Sequence, residues 1–195
     1  LAAQSTSASI DAAVDGLFET FHADAWAWFD QYVGSNFVAS FRAVEGVQAA
    51  EVWTLTDAWV GTDRVRVWGL PIGTALYSPR LVEGRWLNAG ELDAVVISTD
   101  LAQKQNLRVG NTLTLEIAKE RRTFSVAGIV IDNSIFLGST VAGKIFISEE
   151  IVERMQNRQG WAYFFALGFD AHDPATVEMR LGELAARFKK FQMGS

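Results

Sequence analysis

Apolar positions near the start of the chain recur at helical spacing. Ile10, Val14, Leu17, Phe18 and Phe21 form one stripe and predict a helix over residues 5–22. Asp24, a poor strand former, marks the break after it, and Ala25-Trp26-Ala27-Trp28-Phe29 predicts a short strand. Gly34-Ser35-Asn36 offers an N-cap to a helix lined by Phe37, Phe41 and Val44, and Gly46 stands where a helix-terminating glycine belongs. A second strand covers about 47–56 through Val52, Trp53 and Leu55. Strand, helix and strand in this order predict one βαβ unit with a right-handed crossover.

From about residue 60 the periodicity shortens to two. Arg64-Val65-Arg66-Val67-Trp68 alternates, Ile72–Arg80 follows Pro71 as loop, and Leu92–Ile97 is a near-continuous apolar run, as in a strand buried on both faces. Thr99-Asp100 caps a short helix running to Leu107. Arg108-Val109-Gly110-Asn111 is a turn into a strand with Leu113, Leu115 and Ile117 on one face. Lys119-Glu120-Arg121-Arg122 forms a charged hairpin tip, and Phe124, Val126, Gly128 and Val130 return as its partner. The last third reverts to α/β: a strand at Lys144–Ile147, a helix capped by Ser148 with Ile151, Val152 and Met155 inward, and a buried strand from Trp161 to Phe169. A final helix is capped by Asp173-Pro174 and carries Val177, Leu181, Leu184, Phe188 and Phe191 as its stripe.

Composition narrows the class of function. The 195 residues hold 17 Lys+Arg against 23 Asp+Glu, a formal net charge of −6, with no basic stripe of the kind nucleic acid requires. Without cysteine there is no disulfide, zinc-thiolate site, iron–sulfur cluster or cysteine nucleophile, and redox compartment is unreadable. The longest uncharged run, thirteen residues between Arg66 and Arg80, is broken by Pro71 and Pro79. A membrane span needs roughly 18 apolar residues. A start at Leu1 and an end at Gly194-Ser195, with no signal-peptide pattern, are expected of a piece of a longer protein.

Candidate chemistry is sparse. Gly138-Ser139-Thr140-Val141-Ala142-Gly143-Lys144 fits the opening of a phosphate-binding loop, but Ile145 stands where the Mg²⁺-holding Ser/Thr belongs, and strand rather than helix follows. Only His22 and His172 could serve as imidazole bases. The first is placed at a helix end and the second beside a helix start, so neither belongs to a triad. They are too far apart in sequence for a metal pair, while an all-carboxylate Ca²⁺ site stays open. No catalytic, cofactor or metal residue is therefore assigned. Seven tryptophans are the most unusual feature. Trp26, Trp28, Trp53 and Trp59 form either an exposed platform for a sugar, lipid or partner protein, or core filling. Trp26 and Trp28 lie two apart and share a strand face.

Five short elements, in order, carry a resemblance. Leu81-Val82-Glu83-Gly84-Arg85-Trp86-Leu87 and Glu91–Ser98 come first. Arg108-Val109-Gly110-Asn111-Thr112-Leu113, Phe124–Val130 with Gly128, and Lys144–Ser148 follow. Together they resemble the extracytoplasmic domain of MacB/FtsX-type ABC transporter permeases over about residues 80–150, with Asn111 where that family has Asp. Gly84, Arg85, Gly110 and Gly128 are the motif residues; they mark turns and strands, and carry no chemistry.

The resemblance implies an α+β fold. A porter-like α/β subdomain would be built from residues 1–60 and 142–195, with a β-rich sabre-like subdomain, 61–141, inserted between them. The helices at 5–22 and 174–191 would be stalks leading to flanking transmembrane helices at the outer face of a cell membrane. The implied function is non-catalytic. It couples cytoplasmic ATP hydrolysis to export, lipoprotein release or signalling, with no cofactor of its own. Implied partners are a cognate ABC ATPase, an extracytoplasmic adaptor or lipoprotein, and a second permease copy. A Trp-rich binding module for glycan, lipid or peptide is the alternative.

Overall fold

The structure is a computed structural model and describes residues 9–12, 20–132 and 141–189. In chain order its elements begin with β1 (Ser9–Ala12), β2 (Ala25–Gly34), α1 (Val38–Arg42), β3 (Val47–Val60), β4 (Asp63–Leu70) and β5 (Arg80–Gly84). Next come β6 (Ala94–Ser98), α2 (Thr99–Lys104), β7 (Thr112–Ile117) and β8 (Glu120–Ile131). The chain then forms β9 (Lys144–Ser148), α3 (Glu149–Met155), β10 (Trp161–Phe169) and α4 (Pro174–Lys189). It divides into two compact units, one of residues 1–52, 75–77 and 160–195, the other of 53–74 and 78–159.

The first unit departs most from expectation. In place of the helix over 5–22, Ser9–Ala12 is a strand paired antiparallel with β2, and Phe21 bridges Tyr77. Residues 13–19 and Phe191 lie outside the described residues. Tertiary pairing has overridden a helical period that any apolar-rich segment can show by chance. Nor do β2 and β3 pair directly, since β10 is hydrogen-bonded between them. The helix between them is one turn and a half, preceded by a 3₁₀ turn at Ser35–Phe37 and lacking a side-chain cap.

Packing in this unit follows from residue size. Ala25 and Ala27 leave room on one face of β2, and rings from both helices fill it. Phe41 lies 4.7 Å from Phe188 and 5.2 Å from Phe165 between ring centroids, with Phe37 5.5 Å away. Asp173 caps α4, its Oδ1 accepting the Thr176 N–H at 3.0 Å. Helix α1 ends at Arg42, so Gly46 does not terminate it; at φ +83° it completes the turn in which the Val47 N–H reaches the Val44 carbonyl at 3.2 Å, with the Arg180 guanidinium on its Hα side.

Asp24 is more than a break between elements. Its buried carboxylate accepts the Phe169 N–H through Oδ2 at 2.6 Å and meets His172 Nδ1 through Oδ1 at 2.7 Å. His172, beside the α4 start, is thus also a hydrogen-bond partner of a carboxylate 148 residues away in sequence.

The second unit is a ring. The strand order β3-β4-β9-β6-β8 is closed by β7, which pairs with β3 at Trp59↔Glu116 and with β8 from Thr112↔Ser125 to Ile117↔Glu120. Inward side chains alternate along each strand, as the sequence period demands: Val65 and Val67, Leu113, Leu115 and Ile117, Ile145 and Ile147. β6 is buried along its whole length, and Leu101, Ile151, Val152 and Met155 bring α2 and α3 into the same core. The hairpin tip is Ala118-Lys119, at φ +50° and +75°, so Glu120–Arg122 belong to β8. Ser98 and Ser148 precede helices without capping them through their side chains; the Ser98 hydroxyl instead accepts the Lys144 N–H at 2.9 Å.

Replacing Asp24 with Ala leaves the Phe169 N–H unpaired in the interior and should cost about 1–3 kcal/mol in urea unfolding. Asp24→Asn, which keeps an acceptor, should cost less. Equal losses would show that the carboxylate contributes through charge alone.

Candidate functional site

The residues singled out by sequence converge on one stretch of β8. Gly84 ends β5 at φ +73°, opposite Gly128 in register. A Cβ on Gly84 would lie 2.2 Å from the Ala127 carbonyl oxygen and 3.0 Å from Gly128 Cα. A Cβ on Gly128 would lie 2.2 Å from the Arg85 carbonyl oxygen. Two glycines are therefore required for two backbones to touch here. At the same point Ala127 is an extra residue relative to β6, where the register passes from Val95↔Val126 to Val96↔Gly128. Its carbonyl accepts the Arg85 N–H at 3.0 Å.

The Arg85 side chain closes the loop that follows. Its guanidinium pairs with both oxygens of Glu91 and donates to the Trp86 carbonyl at 3.1 Å. Glu91 Oε2 also accepts the Asn88 N–H at 2.9 Å. The guanidinium, and then the Asn88 amide, hold the Glu91 carboxyl below the ordinary carboxylate range; Glu91 in turn raises Arg85. Trp86 projects from this loop, its ring 5.7 Å from Phe146.

Gly110 supplies the second turn. It sits at φ +87° with nothing within 4 Å of a would-be Cβ, and donates its N–H to the Val126 carbonyl at 2.9 Å. Asn111 Oδ1 accepts the Arg108 N–H at 2.9 Å. An Asp carboxylate would do the same, so Asn in this place keeps the turn.

The tryptophans do not form one surface. Trp26 and Trp53 are buried, which removes both from any platform; Trp26 meets Phe21 edge-on and Trp53 meets Trp68. Trp28 is half-buried and stacks on Phe164 at 6.3 Å. Trp59, 47% exposed, stands across from Arg64 and Glu116, and Trp161 is 54% exposed. Bulk decided these places, and nothing in sequence separates a Trp on an inward register from one on an outward register without the strand pairing.

Other candidate chemistry is absorbed into structure. Lys144 Nζ lies 2.7 Å from Asp132 Oδ1, both nearly buried, and Lys144 opens a strand, so it faces no phosphate. Residues 138–140 of that motif lie outside the described residues. Among the described residues no three His, Cys, Asp or Glu side chains are grouped to hold a metal ion. The Asp24–His172 and Lys144–Asp132 pairs were missed because their members lie 148 and 12 residues apart. A charged residue set inside an apolar run is the signal that could have found Asp24.

Gly84→Ala should be severe, about 3 kcal/mol or more, because a fixed carbonyl oxygen meets the methyl on a strained backbone. Gly110→Ala should cost about 1 kcal/mol, from backbone conformation alone. Urea midpoints measure both, and equal effects would remove the steric account. Because the Glu91 carboxyl is lowered in the folded chain, its tie to Arg85 contributes at neutral pH and is lost as pH falls through that lowered value. The Asn88 amide resonance should report that acid transition and lose it in Glu91→Gln.

Known proteins share this fold. The extracellular domain of the noncanonic ABC-type transporter YknZ from Gram-positive bacteria matches with a TM-score of 0.61 at 11% identity, over 97% of this chain and 95% of that one. The periplasmic region of MacB from Actinobacillus actinomycetemcomitans matches with a TM-score of 0.54 at 16% identity, over 81% and 75% respectively. At such identities the likeness is one of fold. No curated protein matches the chain. The MacB-like periplasmic core domain family matches residues 3–184, and the chain, an α+β domain of MacB-like ABC transporter permeases, belongs to that family.

Proposed function

We propose that this chain works as a non-catalytic, force-transmitting part on the outer side of a cell membrane, within an ABC transporter permease. It passes motion driven by cytoplasmic ATP hydrolysis to export, lipoprotein release or signalling. The observation that carries this reading is the family match across residues 3–184. The motif residues support it, since Gly84, Arg85, Gly110 and Gly128 all serve backbone architecture. On this reading the porter-like segments 1–60 and 142–195 and the sabre-like segment 61–141 divide the work between membrane-near and outer parts. A cognate ATPase acts through membrane helices, an adaptor or lipoprotein meets the outer part, and α4 serves as a stalk. No described helix is itself long and apolar enough to cross a membrane.

A second reading rests on Trp59. Its exposed ring beside Arg64 offers a stacking surface for a peptide or glycan.

The test of the first reading uses the full-length parent protein. It should carry apolar stretches of about 20 residues on both sides of this domain. In intact spheroplasts the domain should be cut by external protease and remain membrane-bound otherwise. Protection from external protease, or a parent without such stretches, would overturn it.

A further inference from the structure

The end of the first unit where β2 finishes and β10 begins is rich in half-buried and exposed rings. Trp28 pairs with Phe164 and Val33 with Ala162, so Phe29–Tyr32 span the length of a single β10 residue, Tyr163. The surplus residues bulge, and a bulge re-aims side chains. Phe29 turns into the core, its ring centroid 5.3 Å from that of Phe37 and 5.8 Å from that of Phe165. Tyr32 instead meets Tyr163 edge-on at 5.2 Å, and Tyr163 lies 6.4 Å from Phe164, on which Trp28 stacks. Both tyrosines are half-buried. Trp161, opposite Gly34 and two residues before Tyr163, stands at the tip of this group and is its most exposed ring.

Two further elements of the unit share this end. β1 runs antiparallel to β2, with Ser9 opposite Trp28 and Ala12 opposite Ala25, so it enters the sheet from the Trp28 side. α4 runs back along β10, and its last turn brings Phe188 to 5.4 Å from Phe37, three residues after Gly34. Between Gly34 and Phe37, the Ser35 N–H donates to the Gly160 carbonyl at 2.8 Å. The start of β1, the end of α4 and Trp161 therefore lie together.

We propose that this end rests in the headgroup layer of the membrane's outward-facing leaflet, with Trp161 entering it and Tyr32 and Tyr163 at its flanks. The inference rests on the permease reading above. Membrane helices on both sides of the domain make the start of β1 and the end of α4 point to the bilayer, and the rings go with them. A ring with an apolar body and one polar atom suits a layer that is apolar on one side and wet on the other. Exposed Asp30 and Gln31, next to Tyr32, keep the contact shallow, because a carboxylate stays among headgroups and water. Exposed Arg187, in the last turn of α4, is matched to lipid phosphate. A weak contact is sufficient, since two membrane connections already hold the rings near the surface.

The test reconstitutes the full-length parent in phosphatidylcholine vesicles, plain or with acyl chains brominated close to the headgroup. The fluorescence lost in Trp161→Phe is the Trp161 signal, and Trp59→Phe gives the signal of an exposed tryptophan in the second unit. In plain vesicles the Trp161 signal should lie at shorter wavelength than in the 195-residue chain alone and lose its access to aqueous iodide. In brominated vesicles it should be quenched, while the Trp59 signal survives. At its exposed site, Trp161→Phe should leave the urea midpoint of the 195-residue chain unchanged, so the difference signal reports one ring. A Trp161 signal untouched by lipid bromine in an inserted parent would overturn the proposal and leave the permease reading standing. Shielding from iodide without bromine quenching would also overturn it, and would assign the ring to a protein partner. Equal quenching of both tryptophans would overturn it as well. A parent that does not insert overturns both the proposal and the reading beneath it.

Discussion

One strand is asked to serve three neighbours. β8 bonds to β6 along one edge, while its other edge passes from β7 to β5 within a few residues. A strand cannot hand its hydrogen bonds from one partner to another without a place where both chains come close and turn. That place is Val126–Gly128. There the Ala127 bulge frees a carbonyl, the Arg85 and Gly110 amides dock, and Gly84 meets Gly128 backbone to backbone. The closed core of Val65, Leu115, Ile145 and their neighbours depends on this handover, because β7 can seal the ring only if β5 leaves β8 in time.

This explains why the most recognisable residues of the chain are chemically silent. Glycine contributes the absence of a side chain, and Arg85 spends its guanidinium on holding the next loop to Glu91. What such residues preserve is a backbone path, and a path is compatible with many cargoes.

How much of this could be read beforehand depended on whether the information was local. The hairpin of β7 and β8, the buried run of β6, the Asp173 cap and the strand-to-helix step at Ser148 all follow from spacing within about ten residues, and all are present. The helix over 5–22 failed because its stripe was real only as a pattern: Ser9–Ala12 answers to β2, about fifteen residues on. The strand, helix and strand of the βαβ expectation are present in order, but local spacing could not show that residues 161–169 supply a strand between β2 and β3. The turn motifs were legible as turns, yet their meeting on β8 was not, since Gly84 and Gly128 lie far apart in sequence. Asp24 looked like punctuation and proved to be a carboxylate with two partners near the other end of the chain.

That last feature bears on how the chain comes into being. Strand β2 has β1 on one edge but finds its other neighbour only in β10, and the Asp24 carboxylate finds the Phe169 amide 145 residues later. A polypeptide emerging from its N-terminus must therefore hold Phe29 and Phe41 without Phe165, and Phe41 without Phe188, until almost everything else has been made. The second unit, whose residues are contiguous apart from three, can meanwhile fold to completion. Birth order and assembly order are thus reversed: the segment synthesised first is the last to be finished, and during that interval its exposed rings are the natural target of chaperones.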